Sequence, residues 1–152
     1  YIADLPAGGV SVTGRVPLHA IDIPDDDLLV CSGDMVYALT LTPIDDGVLV
    51  RGSLATRVSR VCDRCLTLAP LDVSVTDVCH HFEHVEGRYV DLTEHLREDI
   101  LLAFPQGYVC GVDCRGLCPG CGQNLNEAAC ECARGDDGDD PWAALASLGL
   151  DD

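Results

Sequence analysis

Ten cysteines are the residues of this chain whose type and spacing could do chemistry. Six of them fall within residues 110–132, spaced C-x3-C-x3-C-x2-C-x8-C-x-C, and Cys62 and Cys65 form a further C-x2-C pair. Thiolates at such spacings hold Zn²⁺ in closed, tetrahedral structural sites. Glycines on both sides of Cys121 permit the backbone angles that a metal-binding turn needs. The pattern predicts a zinc-binding segment.

Eight of these cysteines divide into two sets of four, which predicts two zinc ions. An eight-residue loop near the C-terminal end is short enough to close on one ion. The other set would join the C-x2-C pair to the start of the cluster and clamp these two segments together. The predicted ligands are Cys118, Cys121, Cys130 and Cys132 in the first case, and Cys62, Cys65, Cys110 and Cys114 in the second. Other choices of four are compatible with the spacing, as is one zinc ion with spare thiols.

Three other uses of the cysteines compete with zinc. A disulfide-bonded secreted module is disfavoured because Cys118/Cys121 and Cys130/Cys132 are too closely spaced to pair comfortably within themselves. A redox pair requires its first cysteine at a helix N-terminus, whereas Cys62 is predicted between two strands. An iron site like that of rubredoxin is a minority alternative. A thiol redox or metal-carrier protein is therefore the alternative hypothesis for function.

Two cysteines stand apart from the others. We expect Cys31 and Cys79 to behave as buried apolar residues. A metal site that combines Cys79 and His80-His81 with His84 is the alternative, because residues 79 and 81 would share a strand face. All-cysteine sites are closed, and neither a nucleophile motif nor a glycine-rich phosphate loop accompanies them. The sequence therefore predicts a protein that is not an enzyme.

Strand patterns in the middle of the chain must position the C-x2-C pair. Apolar and polar residues alternate from Asp34, and Asp46-Gly47 is a favoured hairpin dipeptide. A long strand then runs to about Val61, and another returns after Cys65. We expect an antiparallel meander over residues 34–83, and one or two short strands before it. One face of the long strand is predicted to be apolar through Val48, Val50, Leu54 and Val58.

A single helix is predicted between the sheet and the cysteine cluster. Asp91 and Glu94 have the spacing of a capping box, and Pro105 stops the helix. The pair Leu101-Leu102 is expected to widen its buried face, so that the helix covers one side of the sheet. The apolar stripe consists of Leu92, Leu96, Ile100 and Ala103.

Together these elements predict an α+β fold. Residues 1–105 form an antiparallel sheet with its covering helix, 106–134 form the cysteine-rich zinc-binding segment, and 135–152 form an acidic linker and a short terminal helix, all within one integrated domain. The terminal helix is too short to be stable alone in water, so it must dock on its own domain or in a partner's groove. Its predicted docking residues are Trp142, Leu145 and Leu148.

The charge of the chain limits its partners. Acidic residues number 26 against nine bases, which gives a formal net charge of −17. Such a field repels phosphate, so RNA binding requires a local patch, whereas a basic protein would be attracted. No apolar run approaches the ~20 residues of a membrane span, and thiolate-rich metal spacing predicts a cytoplasmic protein. The candidate RNA-binding patch consists of Arg51, Arg57, Arg60 and Arg64.

Several motifs, taken in order, resemble the YceD family of large ribosomal RNA subunit accumulation proteins. The resemblance covers about residues 45–150. The motifs that carry it are Cys62-Asp-Arg-Cys65-Leu66, Val90-Asp-Leu92, the stretch Leu96–Pro105, the stretch Cys114–Asn126, Cys130-Glu-Cys132 and the stretch Asp140–Leu148.

The resemblance implies a non-enzymatic role in the accumulation of large-subunit ribosomal RNA. It also implies a genetic association with a small zinc-ribbon protein of the large ribosomal subunit. The expected partners are a basic large-subunit ribosomal protein, large-subunit ribosomal RNA, or both. The acidity of this chain favours the protein partner, because opposite charges speed encounter and screen a basic client from stray RNA.

Overall fold

The computed structural model describes residues 5–132, except for positions 46, 84 and 86–88. These residues fall into two compact units: the sheet unit holds the described residues up to Asp63 together with Thr67–Cys110, and the cysteine unit holds Arg64–Leu66 and the described residues from Gly111 onward. The terminal helix predicted with Trp142, Leu145 and Leu148 lies outside the described residues.

The sheet unit is a five-stranded antiparallel sheet with one α-helix, which confirms the predicted α+β class. The elements are β1 Val10–Pro17, a 3₁₀ helix Leu18–Ile21, β2 Leu29–Val30, β3 Asp34–Ile44, β4 Gly47–Val61, β5 Leu68–Phe82 and α1 Thr93–Ala103. Strand β3 pairs with β1 and β4, β4 pairs with β5, and the two-residue strand β2 pairs with the end of β4. The meander predicted over residues 34–83 is therefore β3-β4-β5.

The core of the sheet unit follows from apolar alternation along the strands. Met35 and Leu39 of β3 are buried on the same side as the predicted apolar face of β4. From α1, which packs on β5 and the 3₁₀ helix, Leu96 and Ile100 complete this core. The four β4 residues predicted to be apolar and inward are all buried: Val48, Val50, Leu54 and Val58.

A β-bulge changes the alternation of β5. Gly52 of β4 lies opposite Val78, but Leu54 lies opposite Val75, so β5 contains one residue more than β4 in this interval. The inward positions therefore switch from odd to even numbers, and both Val73 and Val78 are buried. Gly52 has φ +157°, and a Cβ there would lie 2.0 Å from the carbonyl oxygen of Ala38.

This bulge corrects one prediction about the isolated cysteines. Cys31 is buried as expected, with its Sγ 3.3 Å from the carbonyl oxygen of Pro24. Cys79 is exposed and lies opposite Arg51 on the outer face of the sheet, so the prediction that it is buried is wrong. The physical reason is the extra residue at the bulge, which reverses the direction of every later side chain in β5.

The helix is found where the sequence predicted it, with two differences. Leu92 is the N-cap, and Asp91 accepts a hydrogen bond from the backbone N–H of Thr93 at 2.9 Å, so the predicted capping box is one residue out of position. Leu102 is 77% exposed, which contradicts its predicted burial, because the helical turn directs it away from Leu96 and Ile100. No helix in the described ranges has the length and hydropathy of a membrane-crossing segment.

Candidate metal centres

Eight cysteines come together in two groups of four, and the groups are those that the spacing predicted. Within each group the sulfur atoms all lie within 4.8 Å of one another. Around a tetrahedral ion with metal–sulfur bonds of about 2.3 Å, neighbouring sulfurs lie about 3.8 Å apart, so both groups have dimensions that fit a thiophilic metal ion. The first cluster is Cys62, Cys65, Cys110 and Cys114, and the second is Cys118, Cys121, Cys130 and Cys132.

The end of β4 positions the first pair of sulfurs. Cys62 directly follows the strand, residues 63–65 form a turn, and the backbone N–H of Cys62 donates to the carbonyl oxygen of Thr67 at 2.9 Å. Leu66 has φ +59°, a left-handed conformation that closes this turn before β5 begins. The β4–β5 hairpin therefore ends in a tight loop that carries both cysteines, as the sequence predicted.

Hydrogen bonds with both backbone and side-chain groups of the hairpin hold residues 105–110 at the same end of the sheet. Asp63 accepts a hydrogen bond from the backbone N–H of Tyr108 at 2.7 Å, and its own N–H donates to the carbonyl oxygen of Tyr108 at 2.9 Å. The hydroxyl of Tyr108 donates to the carbonyl oxygen of Pro70 at 2.7 Å. These bonds hold Cys110 beside Cys62, whose sulfur lies 3.4 Å from the N–H of Cys110.

Backbone turns of the cysteine unit position the second cluster. The N–H of Cys118 donates to the carbonyl oxygen of Gln123, and the N–H of Gly122 donates to that of Cys118, both at 2.8 Å. Gly122 adopts φ +74°, which glycine reaches without steric cost. The segment thereby folds back on itself around Cys118.

An asparagine not predicted from the sequence supports a ligand of the first cluster. The side-chain amide of Asn126 donates to Sγ of Cys114 at 3.5 Å, and its oxygen accepts from the backbone N–H of Arg115 at 2.7 Å. Hydrogen bonds to metal ligands orient them and tune the site. The only sequence signal for this residue is its place at the end of the stretch Cys114–Asn126.

The thiols of the second cluster shift one another's pKa values, and this mutual effect favours a bound cation. Sγ of Cys130 lies 3.1 Å from Sγ of Cys118, and this hydrogen bond, helped by the backbone N–H groups of Cys121 and Gly120, lowers the pKa of Cys118 to about 6. The neighbouring Cys121 thiol raises the pKa of Cys132 to about 12, chiefly through its hydrogen bond and then through its charge. Four thiolates so close together require a positive charge between them. The donor set therefore fits a thiophilic cation such as Zn²⁺.

The two clusters differ in burial. In the first, Cys62 is 0%, Cys65 3% and Cys114 6% exposed, and Cys110 is exposed. In the second, only Cys118 is buried, Cys130 is half-buried, and the other two are exposed. Three of the four ligands of the first cluster are thus surrounded by protein. In the second cluster, three of the four ligands are at least partly exposed to solvent.

Internal hydrogen bonds engage the guanidinium groups of Arg57 and Arg60, which belong to the candidate RNA-binding patch. Arg57 donates from two nitrogens to the carboxylate of Asp72, at 2.5 and 2.8 Å, and this lowers the pKa of Asp72. Arg60 donates to the carbonyl oxygen of Pro105 at 2.5 Å. Arg51 shares the outer face of β4 with Arg57, while Arg64 lies in the turn at the hairpin end. Their role in RNA binding stays a prediction.

The alternative metal site on β5 divides between the two faces of the sheet. His80 lies on the side of α1, where its Nε2 is 2.7 Å from Oδ2 of Asp99. Cys79 and His81 are exposed on the other face, and His84 lies outside the described residues. His80 is therefore directed away from the two residues with which it would have to share a metal ion.

Comparisons with known proteins give the same family as the motifs. Residues 76–149 match the family described as large ribosomal RNA subunit accumulation protein YceD. The chain is 32% identical over 63 residues to the large ribosomal RNA subunit accumulation protein YCED homolog 1, chloroplastic, of Arabidopsis thaliana, which is 41% of this chain and 19% of that protein. No solved structure matches the chain.

Mycobacterial proteins align over a longer part of the chain. Uncharacterized proteins of Mycobacterium tuberculosis and Mycobacterium bovis are each 34% identical to it over 127 residues, covering 72% of this chain. The match spans 59% of the length of these relatives.

Proposed function

Residues 76–149 of this chain belong to the YceD family, and from that premise we propose that the protein is a non-enzymatic ribosome-biogenesis factor. Its role is to support the accumulation of large-subunit ribosomal RNA, and it acts by binding. The observation that carries this proposal is the family match, whose description names the accumulation of an RNA and no chemical reaction.

The partner that the charges favour is a basic protein of the large ribosomal subunit. A formal charge of −17 attracts such a protein from a distance and repels RNA. The guanidinium groups of Arg57 and Arg60 are already hydrogen-bonded within the sheet unit, so presenting them to phosphates would cost those bonds. Chaperoning a basic ribosomal protein is therefore the mechanism we prefer.

Zinc is the metal that we propose for both clusters, with two ions per chain. Four sulfur donors close together, without histidine or carboxylate among them, are typical of structural zinc sites. The ions would stabilise the folded chain, because the ligands are brought together only in the folded state. Metal analysis of protein purified without added metal should give about two zinc ions per chain, and fully oxidised, metal-free protein would contradict the assignment.

Direct RNA contact is the second candidate mechanism, and it has one specific feature in its favour. Four arginines lie between residues 51 and 64 beside a single acidic residue, Asp63. At most three or four phosphates could be neutralised there. RNA affinity should then fall with salt at a log–log slope of only about −2 to −3.

The experiment that separates the two mechanisms is a pair of titrations at near-physiological salt. Zinc-loaded protein is titrated with large-subunit RNA fragments and, separately, with basic large-subunit proteins. The variant Arg51→Glu/Arg64→Glu is compared with Arg15→Glu/Arg115→Glu, which makes the same charge change outside the patch. We expect tight binding of a ribosomal protein by every form. Tight RNA binding that only the patch variant loses, without affinity for the proteins, would reject the chaperone mechanism.

A further inference from the structure

A groove lies between the bulge of β5 and the last turn of α1. Its volume is about 340 Å³, and its lining includes Thr76 and Asp77 from the strand and Asp99, Leu102 and Ala103 from the helix. The described residues that line it include two carboxylates and no arginine. It lies entirely within the sheet unit and shares no residue with either cysteine cluster.

The bulge places one of the two carboxylates. The extra residue of β5 falls between Val75 and Val78, so Asp77 belongs to the irregular part of the strand and is exposed at the groove. β-bulges commonly redirect a side chain toward a functional surface. In a regular strand, residue 77 would share the inward face with Val73 and Val75, where a carboxylate would be unfavourable.

The helix adds negative potential from its own C-terminal end. Asp99 lies in the last two turns of α1, and His80 holds one of its oxygens at 2.7 Å. The last turn contains no basic residue, although a cation there would offset the negative end of the helix dipole. Arg97, the helix's only arginine, is turned to the 3₁₀ helix, where its Nε donates to the carbonyl oxygen of Asp22 at 3.0 Å. The guanidinium of Arg97 is therefore engaged with Asp22, and the last turn of α1 has no basic side chain of its own beside the groove.

The remaining wall of the groove is apolar. Leu102 is 77% exposed at its rim, and Ala103 lies next to it. A single exposed leucine is unremarkable on a protein surface. Beside two carboxylates, however, it matches the composition of an arginine or lysine side chain, whose apolar stem ends in a cationic head.

We propose that this groove binds an arginine or lysine side chain presented by an extended segment of a basic protein. The cationic head lies between Asp77 and Asp99 at the end of α1, and the aliphatic stem packs against Leu102 and Ala103. This inference rests on the proposed function, since it locates where a basic client would be recognised. RNA is disfavoured here because both carboxylates repel phosphate.

The test uses the full, zinc-loaded chain and a short fluorescein-labelled peptide of alternating arginine and alanine. Fluorescence anisotropy of the peptide measures its binding at near-physiological salt. The groove variant is Asp77→Asn/Leu102→Ser. The matched control is Asp27→Asn/Leu28→Ser, which removes the same charge and a leucine that is 64% exposed elsewhere on the sheet unit. A peptide of alternating glutamate and alanine measures nonspecific binding.

We expect saturable binding of the arginine peptide, about tenfold weaker in the groove variant and unchanged in the control, a ratio that corresponds to about 1.4 kcal/mol. Equal loss in both variants, no loss in either, or no saturable binding by the unmodified protein would each overturn the proposal. Thermal unfolding of both variants is followed in parallel, and Asp77→Asn alone tests the charge if the double variant is less stable.

Failure of this inference can be told apart from failure of the proposed function. Basic ribosomal proteins that bind the unmodified chain and the groove variant equally well would overturn the groove and leave the proposed function intact. If no basic ribosomal protein binds the unmodified chain, the chaperone mechanism fails, whatever the peptide does.

Discussion

The two four-cysteine clusters offer the same donor atoms in different surroundings. The first has three buried ligands, one of which, Cys62, directly continues the long strand β4. The second has one buried ligand and lies in a segment held mainly by its own backbone turns. A metal ion stabilises whatever structure must be in place for its ligands to meet. Identical chemistry should therefore stabilise the sheet in one case and only a local loop in the other.

The largest expected effect is that of Cys62→Ser. Loss of a fully buried ligand should release the metal from the first cluster and lower the free energy of unfolding by about 4 kcal/mol or more. Chemical denaturation followed by circular dichroism measures the change. The control is Cys31→Ser, the same substitution at a buried cysteine outside both clusters. Equal destabilisation by the two variants would show that burial, and not metal binding, accounts for the loss.

A smaller effect is expected from Asn126→Ala. This change removes the donor to Sγ of Cys114 and the acceptor for the N–H of Arg115 while leaving all eight sulfurs in place. Support of this kind is typically worth a factor of about 10–100 in metal affinity. Competition with a chromophoric chelator should show weaker zinc binding at one of two sites. Gln123→Ala is the control, because its described contact with the cysteines is made by its backbone carbonyl, which accepts from the N–H of Cys118 in the second cluster. Equal zinc affinities of the two variants would show that Asn126 does not support the first cluster.

The smallest effect on the sheet is expected from Cys132→Ser. The exposed ligand belongs to the second cluster, so the zinc content should fall from two ions to one while the free energy of unfolding of the sheet unit changes by less than about 1 kcal/mol. Metal analysis together with denaturation measures both quantities. Cys79→Ser, also exposed, should leave two ions bound. If Cys132→Ser destabilised the sheet unit as much as Cys62→Ser, the two clusters would not differ in their contribution to the stability of the sheet.

Much of the fold could be predicted because its signals are local. Period-2 alternation identified β3 and β4 and the inward face of β4, and the apolar stripe with Pro105 identified α1. The cysteine groups were predictable for a similar reason. Short spacings limit which sulfurs can reach one ion. Once the two isolated cysteines, Cys31 and Cys79, are set aside and the compact C-terminal set is assigned, four cysteines are left for the other site.

Contacts between residues distant in the chain determine the features that local sequence patterns did not predict. The bulge opposite Gly52 exposes Cys79, and the pairing of Asp63 with Tyr108 brings Cys110 to Cys62. The same holds for Asn126, whose contact with Cys114 has no periodic signal. A side chain's direction late in a strand depends on every residue paired before it, and a cross-chain hydrogen bond depends on the packing of both segments. Composition and spacing fixed the chemistry available to this protein, and tertiary structure determined which of those groups are buried, engaged or presented to a partner.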